Sequence, residues 1–212
     1  MTIESMKGVR MLRFYFGVMG SSKTAMLLMQ RYNYLAQGYS CALVKPSVDT
    51  RKGVRTVYSR VGLFAMADIV LAPDHSIREQ LLWLETRKPG ELSHVFIDEA
   101  QFLTESQVIE LADMKDALEI HCYGLKTDFQ GKFFPGSEAL LRFADTFLEL
   151  EQSLCWCGAK ATMNTRVDAA GRVVREGAQV LIDGGDQAHS ISYIGLCYKH
   201  WKQGESGMKS GK

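Results

Sequence analysis

Short apolar runs alternate along the chain with stretches in which apolar residues recur at helical spacing. Six of these runs predict buried strands, at residues 12–16, 40–44, 68–72, 94–98, 119–124 and 146–150. The first helical stripe has apolar residues at 25, 28, 29, 32, 35 and 36, and Gly38 follows at the usual position of a C-terminal glycine. Strands that alternate with helices predict an α/β fold, a parallel sheet covered by helices on both faces.

Two further helix starts are marked by capping-box patterns, in which a hydroxyl residue precedes a Glu or Gln by three positions. Ser76 with Glu79 and Thr104 with Gln107 have this spacing, and each pair precedes an apolar periodic stretch. The remaining expectations are a loop or ribbon over residues 52–62 and a short helix over residues 138–145.

The loop between the first strand and the first helix carries the strongest chemical signal. Residues 17–24 read Gly-Val-Met-Gly-Ser-Ser-Lys-Thr, which matches G-x-x-x-x-G-K-[ST] except that Ser22 replaces the second glycine. Such a loop directs backbone N–H groups towards a phosphate chain at a helix N-terminus. Lys23 would reach the β- and γ-phosphates, and the Thr24 hydroxyl would ligate Mg²⁺. An ordinary turn rich in small residues is the alternative, and Ser22 would add strain if its position needs positive φ.

A second candidate lies at the end of the strand 94–98, where Asp98 and Glu99 are adjacent. An acid after a buried strand can hold Mg²⁺, and its neighbour can act as a general base. Helix capping or simple solvation would also explain these acids. Because ligands bind at the carboxyl ends of parallel strands, we expect Gly17, Asp49, Asp98 and Leu125 to converge on one edge of the sheet.

Near residue 152 the composition of the chain changes, because cysteines, glycines and β-branched residues become frequent and helix-forming residues few. We place a domain boundary there. Cys155, Cys157, Cys197 and His200 offer three thiolates and one imidazole, the donor set of a closed structural zinc site. Unpaired buried cysteines, or a disulfide, are the alternatives. The stretch has too few regular apolar positions for a core of its own, so a metal ion would supply stability. Cys41 and Cys122 lie inside predicted strands, as core residues do.

An aromatic loop separates the fifth predicted strand from the short helix. Phe129, Phe133 and Phe134 lie in this glycine-containing segment, residues 127–136. Three exposed rings would be unfavourable, so the loop is either packed for structural reasons or forms a stacking wall for a flat ligand.

Composition narrows the class further. The chain has 212 residues, a net charge of +1 and 46% hydrophobic residues. The balanced charge argues against a nucleic-acid partner or a membrane surface, and no apolar run approaches the roughly 20 residues of a membrane span. The N-terminal residues lack a secretion signal, so we expect a cytoplasmic protein with reduced cysteines. Residues 1–9 are expected to be a flexible lead-in and residues 204–212 a disordered tail.

The ordered set of motifs resembles the thymidine kinases that carry a zinc-bound lasso domain. It consists of residues 17–24, Lys45-Pro-Ser-Val-Asp-Thr-Arg51, Asp98-Glu-Ala-Gln-Phe102, Thr127-Asp-Phe-Gln-Gly131 and the terminal cysteine and histidine set. The resemblance covers roughly residues 10–203. It implies a P-loop (RecA-like) ATP-binding domain over residues 10–152 and a small zinc-binding lasso domain over residues 153–203.

The resemblance implies transfer of the γ-phosphoryl group of ATP to the 5′-hydroxyl of thymidine. Glu99 would be the general base, Lys23 and Arg51 would stabilise phosphate charge, and Thr24 and Asp98 would organise Mg²⁺. The implied nucleotide-binding residues are Gly17, Val18, Met19, Gly20, Ser21, Ser22, Lys23, Thr24, Asp98, Glu99, Ala100 and Gln101. The implied thymidine-binding residues are Met19, Phe102, Leu125, Phe129 and Tyr193, of which Tyr193 would close over the nucleoside. The family also implies a homotetramer and feedback inhibition by thymidine triphosphate.

Two other functions are compatible with parts of the pattern. A recombinase-like P-loop ATPase would use the zinc module to hold nucleic acid, although the neutral charge and the lack of a basic aromatic stripe argue against it. A non-catalytic protein would bind nucleotide through the Ser22 loop without turnover. The segment 184–192 is longer than the usual lasso, which affects the exact thymine contacts.

Overall fold

The computed structural model describes residues 10–49, 53–87, 90–180 and 191–208. The strands are β1 (Leu12–Phe16), β2 (Cys41–Pro46), β3 (Thr56–Tyr58), β4 (Phe64–Met66), β5 (Ile69–Leu71), β6 (His94–Ile97), β7 (Glu119–Gly124), β8 (Thr146–Glu149), β9 (Met163–Val167), β10 (Val173–Val174) and β11 (Ser192–Leu196). The helices are α1 (Lys23–Ala36), α2 (Ile77–Glu85), α3 (Glu105–Met114), α4 (Pro135–Phe143) and α5 (Tyr198–Gln203), with a 3-10 turn at Ala100–Phe102.

Six parallel strands form the main sheet in the order β5-β2-β6-β7-β1-β8. All six predicted strands are confirmed, although β2 continues through Pro46. Successive side chains of a strand point to opposite faces of the sheet, so the strands contribute to two cores. Leu12 and Phe14 belong to the core under α2, α3 and α4, whereas Tyr15 belongs to the core under α1. The predicted α/β class, with helices on both faces, is therefore confirmed.

Both predicted helix starts are confirmed, and the complete capping box forms at Thr104, whereas Ser76 caps its helix through its hydroxyl alone. The Thr104 hydroxyl accepts a hydrogen bond from the Gln107 backbone N–H at 3.3 Å, and the Gln107 side chain accepts one from the Thr104 N–H at 3.1 Å. Ser76 accepts from the Glu79 N–H at 3.1 Å and itself donates to Glu110 of α3 at 2.8 Å. The second cap therefore also joins two helices.

Helix α4 begins at Pro135, three residues before the predicted start. Proline is favourable in the first helical turn, because its missing N–H is not needed there. The first turn packs directly on the 3-10 turn: a Cβ on Gly136 would lie 2.5 Å from the Ala100 carbonyl oxygen and 2.7 Å from that of Leu103. Glycine at this position lets α4 support the segment that follows Asp98 and Glu99.

A second, antiparallel sheet lies near the C-terminus, with strand order β10-β9-β11, and α5 follows β11. The sequence analysis marked this region only by its cysteines, because the strands are short and carry polar residues. In the predicted ribbon, β3 pairs with β4 as an antiparallel hairpin that extends to residue 66. The predicted lead-in 1–9 and residues 209–212 of the predicted tail lie outside the described residues.

The described residues that follow α5 contact the segment that contains Trp156 and the turn between β9 and β10. Trp156 Nε1 donates to the Glu205 carbonyl at 3.1 Å, and Ser206 hydrogen bonds to the Gly171 carbonyl. Throughout the described ranges, the helices are too short or too polar to cross a membrane.

Candidate active site

The loop that connects β1 to α1 contains two glycines that its geometry requires. A Cβ on Gly17 would lie 2.4 Å from Ser21 Oγ and 2.9 Å from the Leu150 carbonyl oxygen. Gly20 has φ +85°, in the left-handed region. The loop closes with a hydrogen bond of 3.2 Å from the Ser21 N–H to the Val18 carbonyl. The chain is thus bent tightly enough to place Lys23 at the start of α1.

Ser22 adopts φ 61° and ψ 21°, so the position does need the left-handed conformation that the sequence analysis considered. Its side chain makes no capping hydrogen bond. The strain that serine brings is therefore not offset by a helix cap.

Lys23 curls back over the loop. Its ammonium group donates to the Val18 carbonyl at 2.8 Å, the Gly17 carbonyl at 3.2 Å and Ser21 Oγ at 3.3 Å. A lysine charge is thereby held at the helix N-terminus, where backbone N–H groups also favour an anion.

The two acids after β6 lie beside this loop. Thr24 Oγ1 donates to the two carboxylate oxygens of Asp98 at 3.1 and 3.2 Å. Burial, together with the nearby charge of Glu99, raises the pKa of Asp98 to about 7 although the Thr24 hydrogen bond lowers it. A carboxylate and a hydroxyl are oxygen ligands of the kind that Mg²⁺ prefers, and a cation there would offset the repulsion between the acids. The donor set therefore fits a nucleotide-bound metal ion.

Glu99 has φ 50° and ψ 40°. Among the described residues, Glu99 and Ser22 are the non-glycine residues with positive φ. Such conformations persist only where the surrounding structure enforces them, and they cluster at functional sites. Gln101 provides part of that constraint, since its amide nitrogen donates to Glu99 Oε2 and its oxygen accepts from the Leu125 N–H at 3.0 Å.

One cavity of about 750 Å³ brings the loop, the acids and the aromatic segment together. Eight of the predicted nucleotide-binding residues line it: Met19, Gly20, Ser22, Lys23, Thr24, Asp98, Glu99 and Gln101. Gly17, Val18, Ser21 and Ala100 do not line it. All five predicted thymidine-binding residues line it: Met19, Phe102, Leu125, Phe129 and Tyr193. The expected convergence at the carboxyl edge of the sheet is confirmed, with Asp49, Asp98 and Leu125 in the lining and Gly17 at the end of β1.

The three aromatic residues of residues 127–136 have different environments. Phe129 and Phe134 are buried and line the cavity, whereas Phe133 is half exposed and does not. Asp128 fixes the loop by accepting hydrogen bonds from the N–H groups of Gln130 at 2.8 Å and Lys132 at 2.9 Å. Because Phe129 and Phe134 are both packed and cavity-lining, they are compatible with a structurally packed loop and with a stacking wall for a flat ligand.

The segment after β2 is anchored by a buried lysine that the sequence analysis did not single out. Lys45 Nζ lies 3.4 Å from Asp49 Oδ2 and donates to the carbonyls of Thr56 at 2.8 Å and Gly53 at 3.2 Å. Arg51, predicted to stabilise phosphate charge, lies outside the described residues.

Asn164 of β9 was also missed. Its side-chain oxygen accepts from the Met19 N–H at 2.8 Å, and its nitrogen donates to the Thr127 carbonyl at 2.7 Å. It therefore ties the phosphate loop and the aromatic loop to the C-terminal sheet. The available signal was period-2 alternation, which puts Asn164 and Arg166 on the same face of a strand.

The four predicted metal ligands come together from two segments 40 residues apart in the chain. The donor atoms of Cys155, Cys157, Cys197 and His200 all lie within 4.8 Å of one another. His200 Nδ1 is 3.3 Å from Cys155 Sγ and 3.4 Å from Cys197 Sγ. Tetrahedral zinc with ordinary bond lengths gives sulfur–nitrogen separations of about 3.5 Å.

The ionisation of Cys155 also suits a metal ligand. Burial raises the pKa of its thiol, but backbone N–H groups of Cys157 and Cys197 and the His200 ring outweigh this and lower it to about 6. A thiolate is the form that binds metal. The cluster can therefore hold a metal ion.

The parallel sheet, the glycine loop ending in Lys23 and Thr24, and the acids after β6 together define a P-loop nucleotide-binding protein. A model of the family described as "Thymidine kinase" matches residues 10–201. The chain belongs to the thymidine kinase family.

Curated relatives support this assignment. The chain is 43% identical over 199 residues to a thymidine kinase of Legionella pneumophila (strain Lens), which covers 92% of this chain and 91% of the relative. It is 41% identical over 205 residues to a thymidine kinase of Ruegeria pomeroyi, with 93% and 98% covered. It is 41% identical over 192 residues to the thymidine kinase of Enterobacteria phage T4, with 90% and 94% covered.

The strain at Ser22 predicts the effect of restoring glycine. Ser22→Gly should raise the free energy of unfolding by about 0.5–1 kcal/mol, since left-handed backbone costs a non-glycine residue about 1–2 kcal/mol and the freer unfolded chain of glycine removes part of that gain. Urea denaturation of both proteins measures the difference. Ser22→Ala is the matched control and should leave stability unchanged, because the hydroxyl makes no cap. A Ser22→Gly variant no more stable than Ser22→Ala would contradict the strain argument.

Proposed function

We propose that the protein is an ATP-dependent thymidine kinase that forms thymidine 5′-monophosphate and ADP. The observation that carries this proposal is that one cavity is lined by Lys23 and Thr24 of the loop, by the acids Asp98 and Glu99, and by the aromatic residues Phe102, Phe129 and Tyr193. Membership of the thymidine kinase family supports thymidine as the acceptor of the phosphoryl group. A recombinase-like ATPase and a non-catalytic binder are not favoured.

Each group at the cavity has a role that follows from its chemistry. The backbone of residues 17–22 and Lys23 bind the phosphates of ATP, and Lys23 exchanges its carbonyl partners for phosphate oxygens. Arg51 adds positive charge at the transferred phosphoryl group. Thr24 and Asp98 would hold Mg²⁺, which when bound neutralises charge on the β- and γ-phosphates. Ala100 and Gln101 hold the backbone of the acidic pair, Asp98 and Glu99, in position.

Glu99 is the general base in this proposal. Its carboxylate orients the 5′-hydroxyl and takes its proton as the 5′-oxygen bonds to the γ-phosphorus, while the bond to the bridging oxygen of ADP breaks. Gln101 holds the carboxylate through the hydrogen bond from its amide nitrogen to Glu99 Oε2. Phe102, Leu125, Phe129, Met19 and Tyr193 enclose thymidine, which keeps water from competing as the acceptor.

The chain is proposed to divide into an ATP-binding domain, residues 10–152, and a zinc-binding lasso domain, residues 153–203. The main sheet ends within the first range and the antiparallel sheet lies within the second. Thymidine triphosphate is proposed as a feedback inhibitor, because it combines the nucleoside with a phosphate chain that suits the loop. The working location is proposed to be the cytoplasm.

An assay with ATP and thymidine tests the function and the base together. The wild-type protein should release ADP only when thymidine is present, in equal amounts with thymidine 5′-monophosphate. Glu99→Gln should lower kcat by about 10²–10⁴-fold, the usual contribution of a general base, while ATP and thymidine still bind.

Glu105→Gln is the matched control, since Glu105 is an exposed acid at the start of α3 that pairs with Arg142. It should leave kcat unchanged. Near wild-type turnover by Glu99→Gln would exclude Glu99 as the base. Release of ADP without thymidine would instead support the ATPase alternative.

The metal cluster is proposed to hold one structural Zn²⁺ per chain. Changing any one of Cys155, Cys157, Cys197 and His200 to Ala should reduce the zinc content and lower the melting temperature, because the small module relies on the metal for its stability. Elemental analysis and thermal denaturation provide the two measurements. Cys122→Ala is the control: it removes a buried core thiol and should keep the zinc. Full zinc content in all four ligand variants would rule out this site.

A homotetramer is proposed, and exposed apolar side chains on α1 and on the β3–β4 hairpin offer surface for its contacts. The α1 patch includes Met29, Tyr32 and Leu35, and the hairpin patch includes Leu63 and Phe64. Large exposed apolar patches usually mark interaction surfaces. A tetramer of dihedral symmetry needs two different self-complementary interfaces, and we assign one to each of these patches.

Light scattering after gel filtration tests this assembly. Tyr32→Glu and Phe64→Glu should each give dimers, because a charge buried in an apolar interface disrupts that interface and leaves the other intact. The double variant should give monomers. Glu138→Lys on α4, an exposed site outside both patches, should remain tetrameric. A monomeric wild-type protein at micromolar concentration would contradict the proposal.

A further inference from the structure

Arg166 is a buried charge behind the aromatic walls of the cavity. It is 2% exposed and lies on β9 opposite Tyr193 of β11. Its Nε and one terminal nitrogen donate to the Tyr193 hydroxyl oxygen at 3.0 and 2.7 Å. The same terminal nitrogen donates to the Ala178 carbonyl at 2.8 Å. One guanidinium thus joins β9, β11 and the segment before residue 180.

The guanidinium also lies over the face of Phe129, with 3.7 Å between its central carbon and the ring centroid. The Tyr193 ring centroid is 5.3 Å away. A cation at these distances is attracted to the electron-rich face of each ring, most strongly when water is excluded. Arg166 therefore contacts two of the three aromatic residues on which nucleoside binding is proposed to depend, Phe129 and Tyr193.

Among the described residues, no carboxylate lies within 4.0 Å of this guanidinium. Within the described part of the chain, its partners are a phenol oxygen, a carbonyl oxygen and two aromatic rings. A buried charge that loses its partners is strongly unfavourable, so the rings and the guanidinium hold one another in place. The side chain itself does not line the cavity.

The two hydrogen bonds from Arg166 also determine what Tyr193 offers to a ligand. A phenol oxygen accepts at most two hydrogen bonds and has one proton to donate. Because Arg166 donates both bonds, the proton of Tyr193 remains available as a donor to an acceptor oxygen.

We propose that Arg166 is a positioning residue for nucleoside binding: it fixes Phe129 and Tyr193 as walls of the cavity and makes the Tyr193 hydroxyl a hydrogen-bond donor to an oxygen of the nucleoside. This inference rests on the proposed function.

The test compares the kinetics of Arg166→Met and Arg166→Lys with those of the wild-type protein. Arg166→Met should raise the KM for thymidine about 10- to 100-fold, the range expected for losing hydrogen bonds to a charged group, and leave the KM for ATP unchanged. Arg166→Lys keeps a cation over Phe129 but loses the two-pronged donor, so its thymidine KM should lie between the other two. The double variant Tyr193→Phe/Arg166→Met should have a thymidine KM no higher than that of the more affected single variant.

The control is Arg172→Met, which removes an exposed arginine of the same module that pairs with Asp168. It should leave both KM values and the zinc content unchanged. An unchanged thymidine KM in Arg166→Lys and Arg166→Met would overturn the inference. So would equal rises in both KM values with loss of zinc, which would show a purely structural role. If Arg166→Met does not fold, the thymidine KM of Arg166→Lys decides. Failure of the proposed function is a separate result, since the wild-type protein would then form no thymidine 5′-monophosphate.

Discussion

The hydrogen bonds from Thr24 to Asp98 are the contact on which the site depends. They join the start of α1 to the end of β6. These two positions lie close together because β1, which leads into α1, runs parallel to β6 and ends at the same edge of the sheet. Asp98 is buried beside a second acid, which is unfavourable unless a cation or a hydrogen bond compensates. The arrangement therefore favours a metal-bound nucleotide at this edge of the sheet.

Backbone strain at the same edge is maintained by packing elsewhere. Ser22 and Glu99 both adopt left-handed conformations, one on each side of the Thr24–Asp98 contact. Gln101 ties Glu99 to the end of β7, and α4 packs on the 3-10 turn with only a glycine between them. The general base proposed at Glu99 needs its carboxylate held in one orientation, and this packing supplies that constraint.

The main sheet and the position of the site could be predicted because both follow from strong local signals. Strands of a parallel sheet are buried on both faces and so read as continuous apolar runs, and the loop and acids directly follow such runs. The predicted start of α4 is three residues late, because proline is common both in loops and in the first turn of a helix. The C-terminal strands were missed for a different reason. In β9, Asn164 and Arg166 are buried polar residues whose partners lie far away in the chain, so their burial follows from tertiary contacts that the local pattern does not contain.

The central claim is that one cavity holds both substrates, with the 5′-hydroxyl of thymidine against Glu99. A crystal structure with thymidine and a non-hydrolysable ATP analogue tests it most directly. The account predicts the triphosphate on the loop 17–24, the thymine between the aromatic walls, and the 5′-oxygen about 2.6–3.2 Å from the Glu99 carboxylate. Thymidine bound outside this cavity, or a 5′-oxygen directed away from Glu99, would contradict it.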